Sequence, residues 1–245
     1  FVTDNAELQK QIELSQKEYS NSNVIDVDWY TSYQVHEIDS VNLIDPSGVN
    51  GGGREFYGEK MNSKIKRLDI SFPMLNVRSD IYTRCQINLA AYAGEITPIQ
   101  IEYAGTSTTY NIPGIGVSDF FTKAETKAIT IDAKATSNSN QTVTLHFKSN
   151  VSGAIAYLNY IEMNVPCDLV MTNNEMAITN TQVLGQKPAI RYHLQGANAQ
   201  TQIWRVSDGV NIEQMPTSIV NNTLTWIGDN TIAEKYVAIN PTASN

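Results

Sequence analysis

The sequence predicts an all-β protein: a jelly-roll-like β-sandwich, then a small immunoglobulin-like β-sandwich, with one helix at the N-terminus. Three observations carry that reading. Short segments along most of the chain alternate apolar and polar residues with period two. Turn-forming residues separate these segments at close intervals, the pattern of sandwiches and jelly rolls. Strand and helix do not alternate, which removes the dinucleotide-binding and barrel folds. Among the 245 residues, Asn and Thr number about two dozen each, and they suit turns and strands respectively.

The helix is expected over residues 4–19, where Leu8, Ile12 and Tyr19 line one side. Asp4 caps its start, with Glu7 three residues on. Its thin apolar stripe suits a surface element or an entry arm, residues 1–22. Strands follow at 24–30 and 33–38, then the glycine-rich loop 47–53. Further strands are expected at 63–72, 78–93, 98–103, 128–133, 142–148 and 154–165. Pro73, Gly94, Gly105, Pro113-Gly114, residues 137–140 and Gly153 separate them. Pro166 marks a boundary, so the first sandwich is assigned 23–166 and the second 167–245. In the second, short strands are expected at 169–171, 176–179, 189–194, 202–206, 223–227 and 235–239, with a hairpin turn at 207–210.

Hydrophobic residues make up 41%, enough for sizeable cores, while charged residues are only 17%, against roughly 25% in typical soluble domains. The net charge of −8 argues against a nucleic-acid surface, which needs Lys and Arg for phosphate contacts. No apolar run approaches the length that spans a bilayer. The chain opens at Phe1 without an initiator Met or signal-peptide core and closes on a polar tail at 241–245. It reads as a trimmed mature protein or a piece of a longer one.

Few residues point to chemistry. His36, His146 and His193 stand apart from Cys or a second His, so zinc spacing is missing. Cys85 and Cys167 are either buried thiols or a long-range disulfide, and spacing does not decide which. No Gly-x-Ser-x-Gly elbow occurs. Gly51–Gly53 and Gly114-Ile-Gly116 lack the Lys-Ser/Thr of a phosphate loop and read as turns. Asp26 with Asp28, and Glu37 with Asp39, each share a strand face, with Asp45 at the loop. Such hard carboxylates are either solvated or hold a structural calcium, the one cofactor the sequence suggests. Trp29, Tyr30, Tyr33, Phe56 and Tyr57 flank the glycine loop. They are either core of the first sheet or rings that stack on sugars.

Four segments carry a family resemblance. Tyr33-Gln-Val-His-Glu-Ile-Asp39 runs on to Asn42, and Arg54-Glu-Phe-Tyr-Gly-Glu59 follows the glycine loop. Ala156-Tyr-Leu-Asn-Tyr-Ile-Glu162 and Ile203-Trp-Arg-Val-Ser-Asp208 come later in the same order. Together they resemble the non-catalytic N-terminal region of type IX secretion sortases, gingipain-like cysteine peptidases at the surface of Bacteroidetes. Arg205 and Asn159 stand where that family usually has Asp, and Gly209 replaces a Pro. The resemblance implies a cell-surface location and a parent that removes C-terminal secretion signals from cargo. Its catalytic His and Cys would belong to an α/β domain downstream, so no catalytic residue carries over to this chain. The expected function is an accessory, non-catalytic region that positions cargo or the catalytic domain. Its partners would be that domain, cargo signal domains or surface glycan. The alternative is a stand-alone carbohydrate-binding or adhesion module.

Overall fold

The computed structural model describes residues 12–19, 22–44, 53–116, 123–207, 209 and 211–241. Among them there is no helix. The strands are β1 (Glu13–Leu14), β2 (Val24–Val27), β3 (Trp29–Glu37), β4 (Lys60–Asn62), β5 (Arg67–Phe72) and β6 (Tyr82–Tyr92). After them come β7 (Thr97–Tyr103), β8 (Thr106–Ile112), β9 (Glu125–Lys134), β10 (Gln141–Phe147), β11 (Ile155–Asp168) and β12 (Glu175–Ile178). The last are β13 (Ala189–Gln195), β14 (Gln202–Arg205), β15 (Glu213–Gln214), β16 (Ser218–Val220), β17 (Thr223–Asp229) and β18 (Tyr236–Ile239).

The chain forms two compact β-sandwich-like units, Tyr33–Pro166 and the combination of Phe1–Ser32 with Cys167–Asn245. The sequence assigns residues 24–32 to the first sandwich. In the structure, β2 pairs in parallel with β13, Val24 opposite Ala189 and Val27 opposite Tyr192, inside the second unit. The alternation of β3 conceals this crossing. Odd-numbered residues are buried at Trp29 and Thr31 but exposed at Tyr33, Val35 and Glu37.

The unit Tyr33–Pro166 has two sheets, ordered β3-β11-β6-β9, with β4 on β11, and β5-β10-β7-β8. Period-two alternation selects its core: Cys85, Ile87 and Leu89 of β6 point inward, while Tyr82, Arg84, Gln86 and Asn88 alternate with them. Ile99, Ile101, Ile112, Leu145, Leu158, Ile161 and Met163 complete a fully buried interior. Burying each such side chain stabilises the fold by about 1.5–3 kcal/mol. The β7–β8 hairpin turns on Ala104 and Gly105, whose φ angles are 50° and 76°. Both lie in the left-handed region that a type I′ turn demands.

The other unit has sheets ordered β1-β15-β14-β18-β12 and β16-β17-β13-β2. The Trp226 and Tyr192 rings stack at 4.7 Å, and both meet Tyr236 edge-on, at 5.7 and 5.6 Å. Beneath them Glu234, whose side chain is 1% exposed, accepts hydrogen bonds from the Tyr236 hydroxyl, Arg205 Nη1 (3.0 Å) and the Asp229 amide (3.0 Å). A buried carboxylate persists only with such partners. The β16–β17 hairpin turns on Asn221 and Asn222, with φ of 49° and 60°.

The N-terminal helix expected over 4–19 is corrected. Residues 4–11 lie outside the described residues, and none of 12–19 is helical. Glu13 and Leu14 form β1, parallel to β15, and the Ser15 amide donates to the Gln214 carbonyl at 2.8 Å. Lys17 Nζ reaches Asp229 at 2.6 Å and lies 5.2 Å from the centre of the Tyr19 ring. Burial pushes the Asp229 carboxyl up, but its bonds from Lys17 and Thr231 outweigh that and hold it at about 2. Helical propensity is a weak prior, and strand pairing overrides it here.

The two hairpins yield a prediction. Ala104 occupies a left-handed position where Asn is better tolerated. Ala104→Asn should stabilise the protein by ~0.5–1 kcal/mol and Asn221→Ala should destabilise it by a similar amount. Both would be read as shifts in the urea midpoint at constant slope.

Candidate functional site

The segments that carry the family resemblance within Tyr33–Pro166 meet in space. The Gly58 amide donates to the Leu158 carbonyl at 2.7 Å, and the Leu158 amide donates to the Glu59 carbonyl at 3.0 Å. Pairing then continues through Tyr157 with Lys60, Ala156 with Met61 and Ile155 with Asn62. Val41 and Tyr57 form an antiparallel bridge, exchanging backbone bonds of 2.9 Å in both directions. His36 Nε2 lies 2.6 Å from Glu59 Oε1, and the Tyr33 hydroxyl donates to Glu162 Oε1 at 2.8 Å. That bond and then burial raise the Tyr33 pKa.

Glycine is required at the centre of this arrangement. A Cβ on Gly58 would stand 2.9 Å from both Cβ and the carbonyl oxygen of Ile38. Asn42, 7% exposed, lies against Gly53 and accepts the Ile44 amide through Oδ1. The glycine loop itself, residues 45–52 with Asp45, is outside the described residues. Opposite β6, the register of β11 shifts between Leu158 and Tyr160. Such a bulge re-aims side chains, and Asn159 Nδ2 donates to Asn88 Oδ1 at 3.3 Å.

The aromatic and motif residues singled out in the sequence separate by exposure. Trp29 and Tyr57 are buried, and Tyr30 is intermediate. Burial first pushes the Tyr30 and Tyr57 hydroxyls up to about 12, and for Tyr57 its hydrogen bond to Glu55 comes second. Tyr33 at 53% and Phe56 at 43% are exposed, as is Arg54. The carboxylates do not gather. Asp26 takes His193 Nε2 at 2.8 Å and Arg191 Nη1 at 3.1 Å, which lower its pKa, the histidine bond most. Asp28, Glu37 and Asp39 are exposed. Among the described residues, no three His, Cys, Asp or Glu side chains lie close enough to hold a metal ion.

The cysteines are buried and each histidine lies beside a carboxylate. Cys85 and Cys167 are free thiols, 0% and 1% exposed, and burial pushes both up to about 12. A thiolate is the reactive form, so neither is poised to attack. Each histidine sits beside a carboxylate: His36 by Glu59, His193 by Asp26, and His146 by Glu102 at 3.1 Å. The sequence departure at Arg205 has a local reason, because its guanidinium bridges Glu234 and Glu213 (2.8 Å). Sequence reading missed Glu234, since nothing in the pattern distinguishes a buried carboxylate from a solvated one.

No protein-family model and no curated protein matches this chain. Among solved structures, dimeric latent PorU from Porphyromonas gingivalis shares the fold at a TM-score of 0.78 and 15% identity. The match covers 94% of this chain and 22% of that one, so the chain spans about a fifth of its length. Two carbohydrate-binding modules overlap far less well. CBM36 in complex with calcium and xylotriose gives a TM-score of 0.32 at 14% identity, covering 53% of this chain and 87% of the module. The C-terminal CBM6 of LamC from Zobellia galactanivorans gives 0.27 at 12% identity, covering 54% and 99%.

The close approach at Gly58 is testable. Gly58→Ala should destabilise the fold by ~1–3 kcal/mol through overpacking. Gly94→Ala, where a Cβ would meet nothing within 4 Å, should stay within ~0.5 kcal/mol. Thermal unfolding of the two variants side by side checks the contrast.

Proposed function

We propose that this chain is a non-catalytic accessory region of a cell-surface, gingipain-like cysteine peptidase of the type IX sortase class, which positions cargo or the catalytic domain. The observation that carries the reading is the PorU-like fold over 94% of the chain, within a protein of which the chain matches 22%. The motif resemblance supports the same assignment independently of the fold, and both favour a chain that works as one part of a longer protein. Strand order supports a jelly-roll reading of the unit Tyr33–Pro166: β3-β11-β6-β9 and β5-β10-β7-β8 resemble its interleaved order. In the other unit β16-β17-β13 with β15-β14-β18 resembles an immunoglobulin-like arrangement.

The chemistry is consistent with recognition. Burial pushes both thiols well up, and His36 and His193 are engaged by carboxylates. Charged residues are 17% of the chain, so long-range steering is weak and contact rests on strand edges and apolar surface. No helix among the described residues is long and apolar enough to cross a membrane. A second reading, contact with surface glycan, draws on Tyr33 and Phe56, the exposed rings of the aromatic group.

The proposal is tested by titrating the purified chain, in a calorimeter, with a C-terminal signal domain from a type IX cargo protein. Binding without cleavage is expected, with affinity little changed by added salt and no labelling by a thiol-directed peptidase probe. Cleavage of the domain or labelling of the native chain overturns the non-catalytic reading, and absence of binding overturns cargo recognition.

A further inference from the structure

The acidic chain carries one concentrated patch of positive charge. Of its 17 Lys and Arg residues, Lys60, Lys64, Lys66 and Arg67 fall within eight positions that contain no Asp or Glu. The fold adds a fifth cation. The Phe147 amide donates to the Lys66 carbonyl at 2.9 Å, continuing the β5–β10 pairing, so Lys148 follows directly beside this segment.

A defined turn presents these side chains. Asn62 Oδ1 accepts the Lys64 amide at 2.8 Å and the Ile65 amide at 2.9 Å. The Asn62 amide in turn donates to the Ile65 carbonyl at 2.9 Å. An Asn side chain that bonds the backbone two and three residues on fixes such a turn. It joins β4, in one sheet of the unit, to β5, in the other. Ser63 to Arg67 are exposed one after another, so the turn projects from the unit.

The charge on this turn is available. Asp69 takes Arg67 at 2.8 Å, Glu59 lies beside His36, and Glu102 lies beside His146. Lys60, Lys64, Lys66 and Lys148 are exposed and make no ion pair among the described residues. Four uncompensated ammonium groups attract an anionic surface, and screening over about 10 Å at 0.1 M salt hides the acidic residues farther off. At the tip stands Ile65, 47% exposed, between Lys64 and Lys66. A soluble polyanion leaves that side chain in water, whereas a bilayer takes it into the interface while the lysines meet headgroups. A projecting turn also suits a flat surface, while an extended acidic peptide needs a groove or a strand edge.

We propose that the turn Lys60–Arg67, with Lys148 beside it, is a docking site for an anionic lipid bilayer surface. Ile65 enters the headgroup region, and the four lysines meet lipid phosphates and carboxylates around it. Four lysines and one isoleucine give peripheral, reversible attachment, electrostatic at long range and apolar only at the tip. The attachment turns this end of Tyr33–Pro166 towards the membrane. The site does not depend on the sortase reading, because it follows from the charge and exposure of this unit alone.

The test is co-sedimentation of the whole chain with vesicles of phosphatidylcholine containing about a third phosphatidylserine, against vesicles of phosphatidylcholine alone. Binding to the anionic vesicles is expected at low salt and should be lost at about 0.5 M salt. Lys64→Gln with Lys66→Gln should weaken it about thirtyfold, and Ile65→Ser about threefold. Lys127→Gln with Lys235→Gln removes the same charge elsewhere and should change it by less than about twofold. Each variant should keep the parent's thermal midpoint, since none of these side chains is buried. Equal binding to both kinds of vesicle, binding to neither, or equal loss in both lysine pairs overturns the proposal. Loss with the Lys64 and Lys66 pair but none with Ile65→Ser also overturns it, since the turn would then serve a soluble polyanion.

Discussion

The unit Tyr33–Pro166 depends on satisfying the backbone of β11 on both sides. At 14 residues it is the longest strand, and β6 covers one side from Tyr92 to Arg84. The other side is shared by β3 and β4, with the Gly58–Leu158 and Leu158–Glu59 bonds next to the β4 pairing. Unpaired buried amides and carbonyls cost about 1–3 kcal/mol each, so the path of residues 53–62 is set by what β11 lacks. The close approach of Gly58 to Ile38, the Val41–Tyr57 bridge and the His36–Glu59 pair follow from that path.

The other unit is organised around a different constraint, a buried carboxylate. Glu234 is held by Arg205, the Tyr236 hydroxyl and the Asp229 amide, and Tyr236 in turn meets Tyr192 and Trp226. Burial, followed by the charge of Glu234, raises the Tyr236 pKa, which keeps its hydroxyl a donor. One polar cluster thereby fixes the end of β17, the start of β18 and the guanidinium of β14. The segment 15–19 closes beside that end, where Lys17 meets Asp229.

Much of this was legible in the sequence. Alternation revealed strands such as 98–103 and 142–148, and Gly105 marked the β7–β8 turn. What failed did so for physical reasons. The amphipathic spacing of Leu8, Ile12 and Tyr19 suggests a helix, yet a two-residue pairing with β15 holds Glu13 and Leu14 extended. Alternation through 29–37 is continuous although its halves belong to different units. The motif residues were visible, but a sequence does not reveal whether His36 and Glu59 act or support. Only their mutual pairing and the backbone exchange around them show an internal framework.

Within Tyr33–Pro166 the resemblance segments form one hydrogen-bonded framework rather than a reactive centre. Native-state hydrogen exchange at the Gly58 and Leu158 amides tests it most directly. Both amides are expected to exchange only through unfolding of the unit, as slowly as the β6 and β11 amides around them. Exchange as fast as that of the Gly94 amide would contradict such a framework.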